Sequence, residues 1–453
     1  MSNVNILQIG EGNFIRAFFD FYIDLANERL GYNGSIAMCQ PRINNKVINA
    51  LKAQNCEFDV ICRGTLNGKP IDDRRKITCV SDCIDTTNNW DDVIETACLD
   101  SLEFIVSNTT EAGIYYDSNA KYDDAPDCSY PAKLTRLLYE RYKRGKSGVI
   151  VLPLELIENN ADTLRIYILK HAVKWSLDDG FFDYIYKECS FCNTLVDRIV
   201  TGHIEGDSDP CSVACEPFFT LVIQADEKCK ERFPVIEDID GVKVFYTNDI
   251  KPYIDSKLKI LNGLHTMSVL GAYIHGFDNV YDMINDEEFR ALVENCLSEE
   301  ILPTVLVSNE NKSRFADFVI ERFSNPFIEH RILDISLNSV AKYQARCMTT
   351  VFDYYRMYHK APRYMSLAFA YLIRFYKGEF KNGKFIGRRV KHGIYNEYEI
   401  RDSQHVLEAF EAAYKTDDPV KAIMSDSSLW EIDMSRLDGF YDAVKKEFDA
   451  IDR

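Results

Sequence analysis

The sequence predicts an α/β chain, with a parallel-sheet domain over residues 1–250 followed by a mainly helical domain over residues 251–453. Three observations carry that expectation. Val4-Asn5-Ile6-Leu7-Gln8-Ile9 reads as a buried strand that passes through Gly10-Glu11-Gly12 into a helical pattern. A second strand at Ser35 to Gln40 then closes a βαβ unit. Beyond Asp249-Ile250 Gly and Pro become sparse, and long helical patterns run to the end.

Composition narrows the function classes. A chain of 453 residues with 46% hydrophobic and 12% aromatic residues has enough apolar surface for two or three packed domains. A net charge of −18 argues against nucleic acid or an anionic membrane surface as a partner. It also requires any anionic substrate to meet a local cluster of Lys or Arg. The N-terminus enters a strand without a signal-like segment, and no apolar run reaches the roughly 18 residues of a membrane helix. A cytoplasmic monomer or small homo-oligomer is expected. Among the 14 cysteines, Cys189-x-x-Cys192 and Cys211-x-x-x-Cys215 superficially resemble a four-thiolate zinc ribbon. Their flanks lack Gly-rich knuckles and the others are scattered singly, so reduced cysteines and no metal are expected.

The elements follow in order. Helical periodicity from about Asn13 to Leu30 runs through Phe14, Phe18, Phe19, Tyr22 and Leu25. Strand, Gly-x-Gly turn and helix is the layout in which amides at a helix N-terminus hold a pyrophosphate, that is, a Rossmann-like dinucleotide site. Ile15 stands where a third glycine is usual, and a Gly-x-Gly alone fits a tight turn equally well. The second strand ends Gln40-Pro41-Arg42 with no acid for a ribose hydroxyl and an Arg close by, which leaves NAD and NADP both open. Asn67-Gly68 marks a hairpin, and Phe104 to Ser107 a strand that runs into the polar Asn108-Thr109-Thr110-Glu111. Pro131 begins a helix through Tyr142, and Gly148 to Pro153 reads as another buried strand, with Glu155 to Asn160 placing polar groups at its end. Asp240-Gly241 predicts a hairpin between Val235-Ile236 and Val242 to Tyr246, and Asn382-Gly383 another. The basic run Lys381, Lys384, Arg388, Arg389, Lys391 reads as a solvated turn in an acidic chain.

The second domain opens on Lys257-Leu258-Lys259-Ile260-Leu261-Asn262-Gly263-Leu264-His265. On an α-helix His265 falls ~80° and Asn262 ~140° from Lys257, so all three can face one cleft. Leu261 and Leu264 flank the lysine, and desolvation by such neighbours lowers an amine's pKa towards that of a proton acceptor. An ordinary amphipathic helix with a snorkelling lysine has the same spacing.

Together these pieces resemble the long-chain, zinc-independent polyol dehydrogenase family that includes mannitol dehydrogenase. Gly10-x-Gly12-x-Phe14-x-Arg16-Ala17 is similar to its nucleotide turn, and Val196-Asp197-Arg198-Ile199 and Cys215-Glu216-Pro217-Phe218 to its central motifs. Lys257-x4-Asn262-x2-His265 is similar to its catalytic signature. The stretches Gln8 to Phe14, Ser107 to Ile114 and Ile335 to Tyr343 are most similar to the branch that reduces hexuronates. The resemblance implies NAD as cofactor, with Gly10, Gly12, Asn13, Phe14, Arg16, Gln40, Asn108, Thr109 and Glu111 as the binding set. It implies Lys257, Asn262 and His265 as the catalytic set and a small-molecule sugar acid as substrate. Lys342 matches a substrate-contacting base of the family, and Arg346, four residues on, shares its helical face. The same two bases also fit a solvated helical face. Leu156 stands where relatives carry an Asn that holds the reacting oxygen, so Asn160 is expected to assist Asn262. A fructuronate- or mannitol-type substrate, a zinc-dependent dehydrogenase and a non-catalytic nucleotide sensor are the competing readings.

Overall fold

A computed structural model gives the fold and describes residues 3–42, 44–236, 239–327, 330–391 and 393–451. The chain divides into two compact units, Met1–Ile250 and Lys251–Arg453. The first is built on β1 (Ile6–Ile9), β2 (Ile36–Cys39), β3 (Phe58–Leu66), β4 (Lys69–Ile77), β5 (Val80–Ile84), β6 (Phe104–Ser107), β7 (Ile150–Pro153) and β8 (Ser190–Phe191). Six of these form one sheet in the order β5-β2-β1-β6-β7-β8, with every pairing parallel. All residues of β1, β2, β6 and β7 are buried, because helices cover both faces. Phe18, Tyr22 and Ile23 pack on one face, and Leu134, Leu138, Leu164 and Ile168 on the other. From β1 the chain lays β2 and β5 to one side, then returns to place β6 on the other. The order therefore reverses between β1 and β6, where ligands bind at the carboxyl ends of such sheets.

The helix after β1 is not uniform. It is α-helical over Asn13–Ile15, widens to a π-helix over Arg16–Asp20, and is α-helical again over Phe21–Leu30. The wide turn carries two charged side chains, Arg16 and Asp20, into the interior. Gly31, at φ 64°, ends the helix in the left-handed region.

β3 and β4 form the hairpin expected at Asn67-Gly68, whose φ values of 52° and 73° suit a type I′ turn. The remaining strands of this unit are β9 (Asn193–Asp197), β10 (Val200–Gly202), β11 (Val213–Cys215), β12 (Phe219–Gln224) and β13 (Val242–Thr247). β11 joins β3 in parallel, and β12 lies between β9 and β13. Among the described residues the hairpin expected around Asp240-Gly241 shows one bridge, between Ile239 and Val242, and a bond from the Val244 amide to the Ile236 carbonyl at 2.9 Å. Its first arm is also held by Tyr22, whose hydroxyl donates to the Pro234 carbonyl at 2.7 Å and accepts from the Ile236 amide at 3.0 Å. β13 also pairs in parallel with β12.

The second unit is mainly helical. Helix Gly263–Ile274 is buried along nearly its whole length and packs against helix Arg363–Phe375. At Gly271 a Cβ would meet the Tyr371 ring at 2.5 Å, so a glycine permits this close crossing. β14 (Gly378–Lys381), β15 (Lys384–Lys391) and β16 (Ile394–Glu399) form an antiparallel sheet with the expected Asn382-Gly383 turn. The basic run is neutralised by acids: Lys381 and Arg388 pair with Glu397, Lys384 with Glu399, and Arg389 and Lys391 with Asp278.

Candidate active site

In the first unit β1 and β6 pair in parallel and end side by side. The Asn108 amide donates to the Ile9 carbonyl at 3.1 Å, which ties the two strand ends together. Gly10 sits at φ 143°, and a Cβ there would stand 2.9 Å from the Asn108 carbonyl oxygen. The close approach and the positive φ both demand glycine. Gly12 caps the following helix, and a Cβ there would meet nothing within 4 Å. The turn therefore presents open space in front of exposed helix-N-terminal amides. Phe14 is positioned by stacking on Phe18 at 5.0 Å, which stacks on Phe219 at 4.1 Å.

The support beneath the turn is polar and buried. Gln8 donates to the Gly10 carbonyl at 3.0 Å. Arg16, buried, donates to the Glu11 carbonyl at 2.9 Å, to the Asn13 side chain at 2.8 Å and to the Cys211 carbonyl. Glu155 is buried below the loop after β6 and accepts from the Thr109 amide at 2.8 Å, the Thr109 hydroxyl at 3.0 Å and the Ser107 hydroxyl at 3.0 Å. Burial raises the Glu155 pKa, although these donors oppose the rise.

In the second unit Lys257–Asn262 is a π-helix that runs into the α-helix from Gly263. The Gly263 amide reaches back five residues to the Leu258 carbonyl. A turn closed over five residues brings Asn262 closer to the face of Lys257 than the ~140° that an α-helix would leave between them. Lys257, Asn262 and His265 are each half-buried. The fully buried lysine of the stretch is Lys259, bonded to Asp353 at 2.7 Å, Asp255 at 3.1 Å and the Thr304 carbonyl at 3.1 Å. Gly263 lies 3.6 Å, measured from its virtual Cβ, from the Arg346 carbonyl, so helix Ser339–Arg346 packs directly on this turn.

His265 is surrounded by positive charge. Its ring lies 4.1 Å from Phe323 and 5.6 Å from His330, and its Nδ1 is buried with no hydrogen-bond partner among the described residues. Burial, then His330, Arg322, Arg346 and Lys342, hold its pKa well below the ordinary value. Burial and Arg322 likewise push His330 down to about 4. Both imidazoles are therefore neutral at pH 7. Lys342 is half-buried, donates to the Ile335 carbonyl at 2.7 Å, and has its pKa lowered by burial and by Arg346.

Residues 4–238 match the Mannitol dehydrogenase Rossmann domain and residues 249–452 the Mannitol dehydrogenase C-terminal domain. The chain belongs to the mannitol dehydrogenase family. Similar relatives are altronate oxidoreductases from Enterobacter sp. (strain 638), 36% identical over 98% of this chain and 94% of theirs, and from Halalkalibacterium halodurans, 33% identical over 98% and 90%. The fold is similar to that of Pseudomonas fluorescens mannitol 2-dehydrogenase, solved with NAD and D-mannitol, at TM-score 0.70 and 20% identity. That match covers 100% of this chain and 92% of the other. It is also similar to a D-sorbitol dehydrogenase at TM-score 0.80 and 19% identity, covering 100% and 94%.

Several expected contacts of this mannitol dehydrogenase-family chain are reassigned by the structure. Asn160 is buried, and its amide is spent on the Pro153 and Glu155 carbonyls and on Thr194, while its oxygen accepts from the Thr194 amide. It clamps two strand ends and has no capacity left for a substrate. Arg16 and Thr109 brace the turn from below in the same way. Gln40 donates to Asp85 at 2.8 Å and accepts from the Thr86 amide at 3.2 Å. Asp85, just after β5, thus supplies the carboxylate that β2 lacks at this end of the sheet. Burial raises the Asp85 pKa, but bonds from Asn45, Asn88 and Gln40 outweigh it and hold the carboxylate well below its ordinary range. The side chain of Glu111 lies outside the described residues.

Asp85, which bonds Gln40, and Arg322 and His330, which lie near His265, come from elements distant in sequence and sit in no local motif, so the sequence does not point to them. Among the described residues no group of three His, Cys, Asp or Glu is placed to hold a metal ion. The Cys189, Cys192, Cys211, Cys215 set is dispersed: Cys215 lies beside Cys62, and Cys192 beside Cys229. Among the described residues no helix is long and apolar enough to cross a membrane.

Proposed function

We propose that the chain is an NAD-dependent oxidoreductase that interconverts D-tagaturonate and D-altronate, with Lys257 as the proton donor and acceptor. The observation that supports this reading is the π-helical turn over Lys257–Asn262, with His265 on the helix that follows and basic residues near that histidine. The names and coverage of the altronate oxidoreductase relatives support the substrate.

The first unit fits a dinucleotide. The Gly10 turn has no room for a side chain on its inner side and open space before Gly12, as close approach of a pyrophosphate to backbone amides requires. Gly10, Gly12, Asn13, Phe14 and Asn108 would hold the cofactor, and Asp85 with Gln40 would meet its ribose. NADH supplies a hydride for a ketone carbon, and NAD accepts one from an alcohol carbon.

The remaining chemistry belongs to the side chains. As a ketone carbon is reduced, negative charge grows on its oxygen. Protonated Lys257 donates to that oxygen and Asn262 offers an amide N–H to the same atom. Neutral His265 fixes the position of the hydroxyl without adding a competing charge. In the oxidation direction the neutral Lys257 amine takes the alcohol proton. Lys342 and Arg346 supply the local cation that a hexuronate needs in a protein of net charge −18. Arg322 extends that positive field around His265.

The test is NADH oxidation by purified protein with D-tagaturonate, D-fructuronate and D-fructose. The reading expects the highest kcat/KM with tagaturonate. A preference for fructuronate would reassign the substrate within the uronates, and a preference for fructose would withdraw the carboxylate site.

A further inference from the structure

We propose that Cys62 is a peroxide-reactive thiol and that Cys215 resolves it into an intramolecular disulfide. The pairing of β11 with β3 sets Cys215 directly beside Cys62 in register. Neighbouring strands lie about 4.8 Å apart, inside the ~4.4–6.8 Å Cα separation that a disulfide spans. Arg198 donates to the Cys62 sulfur at 3.6 Å and is itself held by the Glu216 carbonyl at 3.0 Å, the Ala17 carbonyl at 2.6 Å and the Phe21 ring at 4.2 Å. A fixed guanidinium against a sulfur favours the thiolate, which is the reactive form.

Access is built in. Cys62 and Arg198 line a cavity of about 690 Å³ together with Phe21, Val60, Leu66 and Pro217. The cations at its rim are occupied: Arg74 pairs with Asp59 and Asp207, Arg75 with Asp24 and Glu28, and Lys76 with Asp59. The cavity is therefore a route to the sulfur and not an anion site.

Competition among the thiols points to the same residue. Of 14 cysteines only Cys62, Cys128 and Cys189 are not buried. Burial pushes Cys128 and Cys189 up to about 11. The Cys215 S–H and then Arg198 hold Cys62 below its ordinary value, whereas burial and its neighbour push Cys215 up. Cys56, beside Cys83, is also held below its ordinary value but is buried, so Cys62 is the thiol placed to meet an oxidant and Cys215 the one placed to resolve it.

The chemistry balances with hydrogen peroxide as the oxidant. The Cys62 thiolate attacks one peroxide oxygen, an S–O bond forms, the O–O bond breaks and hydroxide leaves. The Cys62 sulfur has then lost two electrons to the peroxide. Cys215 gives its proton to the first hydroxide and attacks the Cys62 sulfur, so an S–S bond forms as the S–O bond breaks, and the second hydroxide leaves and takes from solvent the proton that Cys62 released on ionising, becoming water. Two thiols and one peroxide become one disulfide and two waters.

The test treats the full-length protein with one equivalent of hydrogen peroxide at pH 7, quenches with iodoacetamide and maps the peptides by mass. The expected product is a Cys62–Cys215 linked peptide. Cys215→Ser should stop at a Cys62 sulfenic acid trapped by dimedone, and Cys62→Ser should leave Cys215 unmodified. Without any variant, iodoacetamide alone should alkylate Cys62 at least ~10-fold faster than Cys128 or Cys189. Oxidation that lands first on Cys128 or Cys189, or equal alkylation of all three, would overturn the proposal.

Discussion

The carbonyl oxygen of Asn108 stands 2.9 Å from where a Cβ on Gly10 would be. β1 and β6 thus meet at their ends with no space for a side chain. Gly10→Ala must move backbone and adopt an unfavourable φ, a cost on the order of 1–3 kcal/mol. The expected outcome is a lower Tm together with at least ~10-fold weaker NADH binding in a fluorescence titration, since a fold of RT ln 10 is about 1.4 kcal/mol. Gly12→Ala has open space and φ −66°, so it should keep the Tm and lose only NADH affinity. A loss of Tm in Gly10→Ala with unchanged NADH affinity would assign that glycine to folding alone.

Asn160 provides the converse case. Its side chain bonds the Pro153 carbonyl and Thr194 and no ligand-facing group. Asn160→Ala leaves buried acceptors unsatisfied at a cost of about 1–3 kcal/mol. Denaturant melts should show that loss, while KM for the sugar acid stays within twofold. A large rise in KM at unchanged stability would return Asn160 to the substrate site.

The paired imidazoles make stability depend on pH. His330 is held at about 4, and burial holds His265 well below the ordinary 6.5 as well. Below pH ~6.5 the unfolded chain binds protons that the folded chain refuses, so the unfolded state gains. This contribution is flat above that pH and is lost as pH falls from ~6.5 towards ~4. His330→Gln removes one such proton, so its urea midpoint should drop less between pH 7 and pH 5 than that of the unsubstituted protein. Parallel slopes for the two proteins would show that His330 is already protonated or exposed in the folded state.

How much of this was legible depended on how local the cause was. Strand β1, the Gly10 turn and the Asn67-Gly68 hairpin were readable because backbone conformation there is dictated by neighbours in sequence. The π-turns were not, since nothing in Arg16 to Asp20 or Lys257 to Asn262 distinguishes a five-residue turn from an α-helix before packing decides it. The sequence singled out Lys257 by its spacing to Asn262 and His265, but gave no sign of what Lys259 does. The structure separates them through Asp255 and Asp353, the second of which lies far along the chain. The same non-locality hid Asp85 behind Gln40 and the bonds that retire Asn160.

The bases on helix Ser339–Arg346 predict substrate discrimination. A charge-assisted hydrogen bond is worth roughly 1.5–3 kcal/mol, or about 10- to 150-fold in affinity. Lys342→Ala should lower kcat/KM for tagaturonate at least ~10-fold, with Arg346→Ala similar or smaller. Any turnover of fructose, which has no carboxylate, should fall much less. Equal proportional losses on both substrates would make these residues structural.

In the proposed reaction Lys257 moves the proton. Lys257→Met keeps the length of the side chain and removes its amine. General acid–base groups of this kind contribute about 10²- to 10⁴-fold. Steady-state turnover of tagaturonate, measured beside the NADH dissociation constant, tests the claim most directly. The prediction is a fall in kcat of at least ~10²-fold with NADH affinity unchanged within twofold. A variant that keeps more than a tenth of the original turnover would contradict it.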